Sequence, residues 1–149
     1  MLTTIPKLKI LDISATIGCN LSCKGCNHFS NYFAPGSKLD TDKLIEDIHV
    51  ILPRIDVERV SVIGGEPLLN PRCRDILHAC LEHKETVYLY TNGILLNEEN
   101  RKWIEEDLEK YPGMFLRVSV HTPEVIDNIK KVKSSKVLVT EHHDGKDRW

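Results

Sequence analysis

The sequence lacks the long apolar runs and the one-sided charge that mark membrane and nucleic-acid proteins. No stretch approaches the roughly 18 consecutive apolar residues of a transmembrane helix. The chain has 20 Lys and Arg residues and 22 Asp and Glu residues, which gives a net charge of −2, so no basic nucleic-acid surface is expected. Residues 1–7 lack the charged and apolar regions of a secretory signal. We therefore expect a cytoplasmic location, without a membrane or nucleic-acid partner.

Cysteine is also scarce, and its distribution excludes a disulfide framework. There are five cysteines, an odd number, and Cys19, Cys23 and Cys26 lie within eight residues. In a reducing compartment, such clustering is better explained by ligation of a metal or a cluster. The 149 residues fit one domain that needs no cross-link to fold, and we expect it to span 1–149.

Strand-like and helix-like segments alternate along the chain. The predicted strands are Leu8–Ala15, Arg59–Ile63, Thr86–Thr91, Phe115–His121 and Lys136–Glu141. Helices are predicted from Asp40 or Thr41 to about Ile55, from Pro71 (capped by Asn70) to His83, from Asn97 to Lys110, and from Glu124 to Lys133. This order predicts an α/β fold with a parallel sheet. Five strand–helix units form an open, partial barrel, because a closed eight-unit barrel needs about 250 residues.

The strands also alternate in polarity. In the fourth strand Arg117, Ser119 and His121 alternate with apolar neighbours, whereas strands buried on both faces are continuously apolar. One face of the sheet is therefore predicted to pack against helices. The other either lines a wet chamber or is simply a solvated face.

The three clustered cysteines have the spacing C-x3-C-x2-C. Three thiolates can hold three irons of a cubane and leave the fourth iron for another ligand, whereas electron-transfer clusters usually use four cysteines. Two alternatives remain open from the spacing alone. His28 could complete a Cys3His zinc site, or the thiols could be free.

Three motifs lie at the ends of three successive predicted strands. They are residues 18–26, here called the cysteine loop, Gly64-Gly65-Glu66-Pro67 and Thr91-Asn92-Gly93. Together they resemble the signature of the radical S-adenosylmethionine (radical SAM) superfamily, in its CxxxCxxC, GGE(P) and TNG elements. The resemblance spans about residues 8–121. It implies a radical SAM-like barrel and an enzyme.

By this resemblance, Cys19, Cys23 and Cys26 bind a [4Fe–4S] cluster whose open iron is chelated by SAM. The GGEP backbone and the Glu66 carboxylate would receive the methionine ammonium of SAM. The resemblance-based cofactor-binding residues are Gly64, Gly65, Glu66, Pro67, Asn92, Ser119 and His121. For His121, a hydrogen-bonded histidine at a strand end is an equally open interpretation.

The implied reaction is reductive cleavage of SAM, which releases methionine and a 5′-deoxyadenosyl radical that abstracts hydrogen from a substrate. A flavodoxin- or ferredoxin-like electron donor is expected. The small size of the chain favours an activating protein of glycyl-radical enzymes. The polar strand faces favour instead an enzyme that modifies a sugar, nucleotide or peptide, because Arg117 is available to pair with an anionic substrate. A non-catalytic Cys3His zinc module and a remnant that binds a cluster without chemistry are further alternatives.

The sequence departs from the family pattern in two places. Gly25 occupies the position where many members have an aromatic residue against adenine, so His28 or Phe29 would have to serve. A common sixth strand–helix unit is missing, so the chain is expected to be either a compact member or a shortened version of a larger one. A partner protein or a second copy could complete the barrel. Cys73 and Cys80 share one face of the second predicted helix and are expected to pack in the core, and His142-His143 is expected to be solvated.

Overall fold

The structure is a computed structural model that describes residues 7–141. Its strands and helices are β1 (Leu8–Ser14), α1 (Thr41–Ile51), β2 (Val57–Ile63), α2 (Cys73–Leu81), β3 (Val87–Thr91), α3 (Glu98–Lys110), β4 (Met114–Val120), α4 (Glu124–Lys130) and β5 (Val137–Glu141). The sheet order is β1-β2-β3-β4-β5, and every neighbouring pair is parallel. The predicted open barrel of five units is confirmed. His142-His143 lies outside the described residues.

None of the helices within residues 7–141 is both long enough and apolar enough to cross a membrane.

The helices α1 and α3 begin with side-chain caps. The side chain of Asp40 accepts hydrogen bonds from the amides of Asp42 and Lys43 at the start of α1, as expected of a cap. The side chain of Asn97 caps α3 in the same way. At the end of α1, Pro53 has no amide hydrogen to continue the helix, and a 3-10 turn, Leu52–Arg54, follows.

Asn70, the predicted cap of α2, does not cap that helix. Asn70 is 2% exposed, and its side-chain nitrogen Nδ2 donates to the carbonyl of Ala15 and to the hydroxyl of Thr41. Asn70 therefore joins the end of β1 to the start of α1. The helix begins at Cys73, two residues later than predicted, after a turn in which the amide of Arg72 donates to Oδ1 of Asn70.

The two faces of the sheet differ as the alternation predicted. The helix-covered face is apolar and completely buried at its centre, at Val60, Val62, Val87, Leu89 and Leu116. The opposite face, here called the open face, carries Tyr88, Tyr90, Arg117 and Ser119, which are all half-buried. The apolar face holds the core, and the open face is available for polar contacts.

A buried carboxylate joins α2 to α3. Asp107, which is 1% exposed, accepts two hydrogen bonds from Arg74 at 2.8 and 3.1 Å and lies 2.8 Å from Nε2 of His78. The side chain of Arg74 also reaches the exposed Glu106. This cluster fixes the two helices against each other on the outside of the sheet.

We expect Asp107→Ala to lower the free energy of unfolding by about 3 kcal/mol, because removal of one partner of a buried ion pair usually costs about 3–5 kcal/mol and Arg74 is partly exposed. Urea unfolding measures the change. Glu106→Gln is the matched control, since an exposed partner of the same arginine contributes less than about 1 kcal/mol. Equal losses in the two variants would contradict a dominant role for Asp107.

Candidate active site at the carboxyl ends of the strands

The cysteine loop and the GGEP segment are in direct backbone contact. The amide of Glu66 donates to the carbonyl of Gly18 at 3.1 Å, immediately before Cys19. A Cβ atom on Gly65 would lie only 2.1 Å from that same carbonyl oxygen and 2.8 Å from the hydroxyl of Ser30. Glycine at position 65 is therefore required sterically, because it lets the two segments approach this closely.

We expect Gly65→Ala to destabilise the protein by about 2 kcal/mol, because the new methyl group meets backbone that cannot move aside without displacing the cysteine loop. Thermal or urea unfolding measures the loss. Gly25→Ala, in the cysteine loop, makes the same change and is the matched control, since a Cβ at Gly25 meets nothing within 4 Å. If both variants were equally stable, the close approach at Gly65 would not be a constraint.

Glu66 is fully buried and braces the end of β3. Its Oε1 accepts hydrogen bonds from the hydroxyl of Thr91 at 2.8 Å and the amide of Leu68 at 3.1 Å, and its Oε2 accepts from the amide of Asn92 at 2.7 Å. Burial raises the pKa of this carboxyl, and the three hydrogen bonds oppose that rise. The role expected for the carboxylate, beside the ammonium of SAM, stays a prediction. In this structure both oxygens are directed to the protein's own donors.

Asn92 connects the TNG segment to the cysteine loop. Its side-chain nitrogen donates to Oδ1 of Asn20 at 2.7 Å and lies 3.7 Å from Sγ of Cys19. Its Oδ1 accepts from the amide of Ile94, which closes a turn after β3. The sequence interpretation included Asn92 but missed Asn20, whose only signal was its position next to a predicted ligand.

The three clustered thiols are half-buried, and two of them contact residues from other strand ends. Sγ of Cys19 accepts a hydrogen bond from the amide of Leu21 at 3.4 Å, and Sγ of Cys23 lies 3.9 Å from Nδ1 of His121. Burial raises the pKa of the Cys19 thiol, with a smaller contribution from the charge of Glu66. His121 directly follows β4, and Ser119 lies two residues earlier on the same open face. The ends of β1, β2, β3 and β4 thus meet around the cysteine loop.

The sequence profile of the Radical SAM superfamily matches residues 13–140. This match covers most of the chain and includes every strand end that forms the site. The chain belongs to the Radical SAM superfamily. The family predicted from the three motifs is therefore confirmed.

Curated relatives are longer than this radical SAM chain. The GTP 3′,8-cyclase of Aquifex aeolicus is 34% identical over 132 residues, which cover 86% of this chain and 40% of the relative. That of Staphylococcus epidermidis is 25% identical over 144 residues, with shares of 88% and 40%. The AdoMet-dependent heme synthase of Methanosarcina barkeri is 34% identical over 100 residues, with shares of 66% and 27%. The chain thus spans about 40% of the length of the two cyclases.

Radical SAM membership implies a [4Fe–4S] cluster and SAM, and the residues present fit both groups. Three thiols lie on one loop, and the buried hydroxyls of Thr16 and Ser30 have no hydrogen-bond partner within the described part of the chain. Both hydroxyls lie against the glycines of GGEP. A Cβ on Gly64 would be 2.3 Å from Oγ1 of Thr16, and a Cβ on Gly65 would be 2.8 Å from Oγ of Ser30. The site therefore combines thiol ligands with polar groups, a donor set that suits an iron–sulfur cluster beside a polar co-substrate.

The geometry does not support the Cys3His zinc alternative. Ligand atoms around a single tetrahedral zinc lie about 3.3–3.8 Å apart, because Zn–N and Zn–S bonds are about 2.0–2.3 Å. Among residues 7–141, only His49, Glu82 and His83 place three such atoms within 4.8 Å of one another. Cys19, Cys23, Cys26 and His28 do not, and His28 is exposed.

The two remaining cysteines are core residues, as predicted. Cys73 is 3% exposed and Cys80 is completely buried, both on the side of α2 that faces the sheet. Burial raises the pKa of both thiols, that of Cys80 to about 12. Both thiols therefore stay protonated at neutral pH and pack as core side chains.

The adenine contact that Gly25 leaves open remains a prediction. Gly25 is exposed, and so are the two proposed substitutes, His28 and Phe29. Phe29 is 63% exposed and adopts a left-handed backbone conformation with φ of 54°, three residues after Cys26. Its ring lies 6.4 Å from that of Tyr32.

Proposed function

We propose that this chain holds a [4Fe–4S] cluster on Cys19, Cys23 and Cys26 and uses it to cleave SAM reductively. The observation that supports the proposal is the continuous set of contacts from Glu66 through Asn92 to Asn20 and Cys19. This set connects the three family motifs through hydrogen bonds. Supporting hydrogen bonds of this kind are what the positioning of two cofactors against each other requires.

In this proposal the protein's own residues position the cofactors and exclude water. Gly64 and Gly65 bring the backbone of the GGEP segment close to the cysteine loop, so the methionine part of SAM can be bound by main-chain groups. Burial of Glu66 and Asn92 excludes water from one side of the site. In the same proposal His121, whose Nδ1 lies 3.9 Å from Sγ of Cys23, hydrogen-bonds a polar group of SAM at the open face.

When bound, the reduced cluster supplies the electron that splits SAM into methionine and a 5′-deoxyadenosyl radical. The electron donor in this proposal is a flavodoxin- or ferredoxin-like protein in the cytoplasm. A protein partner or a second copy of the chain would complete the barrel.

Anaerobic reconstitution tests the proposal directly. We expect about four irons and four sulfides per chain, as one cubane requires, and 5′-deoxyadenosine after addition of dithionite and SAM. Chromatography measures the nucleoside, and colorimetric assays measure the iron and sulfide. Zinc at the thiols with no iron would refute the cluster. An intact cluster that yields no 5′-deoxyadenosine would identify a non-catalytic remnant.

For the substrate, we propose a phosphorylated purine nucleotide. The open face pairs cations with aromatic rings: the guanidinium carbon of Arg59 lies 4.6 Å from the centre of the Tyr88 ring, and that of Arg117 lies 5.6 Å from the Tyr90 ring. Guanidinium groups bind phosphate, and aromatic rings stack on planar bases. The similarity to proteins named GTP 3′,8-cyclase makes GTP the first candidate.

We expect Arg117→Gln to weaken GTP binding by about tenfold, because a charge-assisted hydrogen bond contributes about 1.5–3 kcal/mol. Calorimetric titration with Mg–GTP measures the affinity. Lys102→Gln, the same loss of charge on the exposed side of α3, is the control and should bind as the parent does. Equal affinities of all three proteins would remove Arg117 from the proposed nucleotide site.

A further inference from the structure

Two imidazoles and a carboxylate meet on the surface where α1 and α2 end. Nδ1 of His49 lies 2.8 Å from Nε2 of His83 and 3.7 Å from Oε2 of Glu82. The two rings are nearly perpendicular, at 80°, with centroids 5.1 Å apart. His49 belongs to α1, whereas Glu82 and His83 directly follow α2, so the cluster bridges two helices.

This cluster lies far from the cysteine loop, for a topological reason. In a parallel sheet, each connecting helix runs antiparallel to the strands, so it ends at the edge where the next strand begins. His49 is in the last turn of α1, which leads to β2, and His83 follows α2, which leads to β3. The cysteine loop follows the opposite, carboxyl end of β1. The two sites are therefore on opposite edges of the sheet.

We infer that His49, Glu82 and His83 form a binding site for a divalent transition-metal ion, with Zn²⁺ as the representative ion. Two imidazoles and one carboxylate match the ligand preferences of Zn²⁺, whereas Mg²⁺ and Ca²⁺ prefer oxygen ligands. Three ligands about 3.3 Å apart surround a tetrahedral zinc ion, and the observed separations of 2.8 and 3.7 Å lie on either side of that spacing.

The surroundings allow the remaining adjustment. The side chains of His49 and Glu82 are 40% and 64% exposed, so both can rotate slightly and water can fill the fourth position. Bound zinc would join the end of α1 to the end of α2 through side chains that are separated by more than 30 positions in the chain. Because an unfolded chain does not hold these ligands together, zinc would stabilise the folded protein.

The test is a calorimetric zinc titration of the full chain that carries Cys19→Ser, Cys23→Ser and Cys26→Ser. Removal of these thiols makes the result independent of the proposed cluster. We expect one zinc per chain and a higher Tm with zinc than without. His49→Gln and His83→Gln should each weaken binding by at least about tenfold, because each removes a direct ligand. Glu82→Gln, at an exposed position that leaves the fold intact, should also weaken it.

The other histidine pair in the sequence provides the matched control. His142→Gln with His143→Gln should bind zinc as the parent protein does, and the variants at positions 49, 82 and 83 should keep the parental Tm in the absence of metal. Undiminished zinc binding in the His49→Gln and His83→Gln variants would overturn the proposal. So would loss of binding in the His142/His143 variant alone.

Discussion

Cys23→Ala is expected to abolish cluster binding. Cys23 is the middle member of the three thiols, and two thiolates alone would leave two irons of a cubane without a protein ligand. The side chain is half-buried in a loop rather than in the core, so its truncation should leave the fold intact. The iron and sulfide content after anaerobic reconstitution, together with the visible absorbance of the cluster, measures the effect.

The chain offers a matched control for this substitution. Cys80→Ala makes the same chemical change at a completely buried position in α2, where the thiol packs in the core. We expect the Cys80→Ala variant to have full iron content and only a modestly lower free energy of unfolding. If Cys23→Ala retained as much iron as Cys80→Ala, the ligand set would have to be reassigned.

Glu66→Ala is expected to lower the free energy of unfolding by at least about 3 kcal/mol. The substitution leaves three buried donors without their acceptor, those of Leu68, Thr91 and Asn92, and each such donor costs about 1–3 kcal/mol. Release of Asn92 should also loosen its contacts with Asn20 and Cys19. We therefore expect weaker SAM binding with a retained cluster, measured by SAM titration of the reconstituted variant.

The conservative variant Glu66→Gln distinguishes the effect of the Glu66 hydrogen bonds on stability from the effect of its charge. It keeps the volume and one acceptor oxygen, so we expect an intermediate loss of stability. Because burial raises the pKa of Glu66 in the folded state, the folded protein binds the proton more tightly than the unfolded chain does. The contribution of wild-type Glu66 to stability is therefore largest at low pH and decreases as the pH rises through the raised pKa.

Unfolding experiments at several pH values test this sign. The stability of the wild type relative to Glu66→Gln should increase as the pH falls from neutral towards the ordinary pKa of a glutamate, because the glutamine does not titrate. Glu58→Gln makes the same change at an exposed position, where Glu58 pairs with Lys7, and is the surface control. A Glu66→Ala variant as stable as the wild type would contradict the stabilising role of the Glu66 hydrogen bonds.

Much of the site was predictable because its residues belong to local motifs. The cysteine spacing, the GGEP turn and the TNG turn each follow a strand whose pattern is readable, and parallel strands place their carboxyl ends at one edge. Asp40 and Asn97 were predictable as caps for the same reason, since a cap bonds to amides within its own first turn. Asn70 was not, because its partners Ala15 and Thr41 come from distant parts of the chain.

The amino-acid sequence alone therefore specified the order of the elements, the two faces of the sheet and the motifs that meet at one edge. These features depend on short-range periodicity and spacing. Only the tertiary structure decided that the Glu66 carboxylate points inward to Thr91 and Asn92, and that His49 meets His83. Such contacts depend on the distance and rotation between packed elements, which no local pattern encodes.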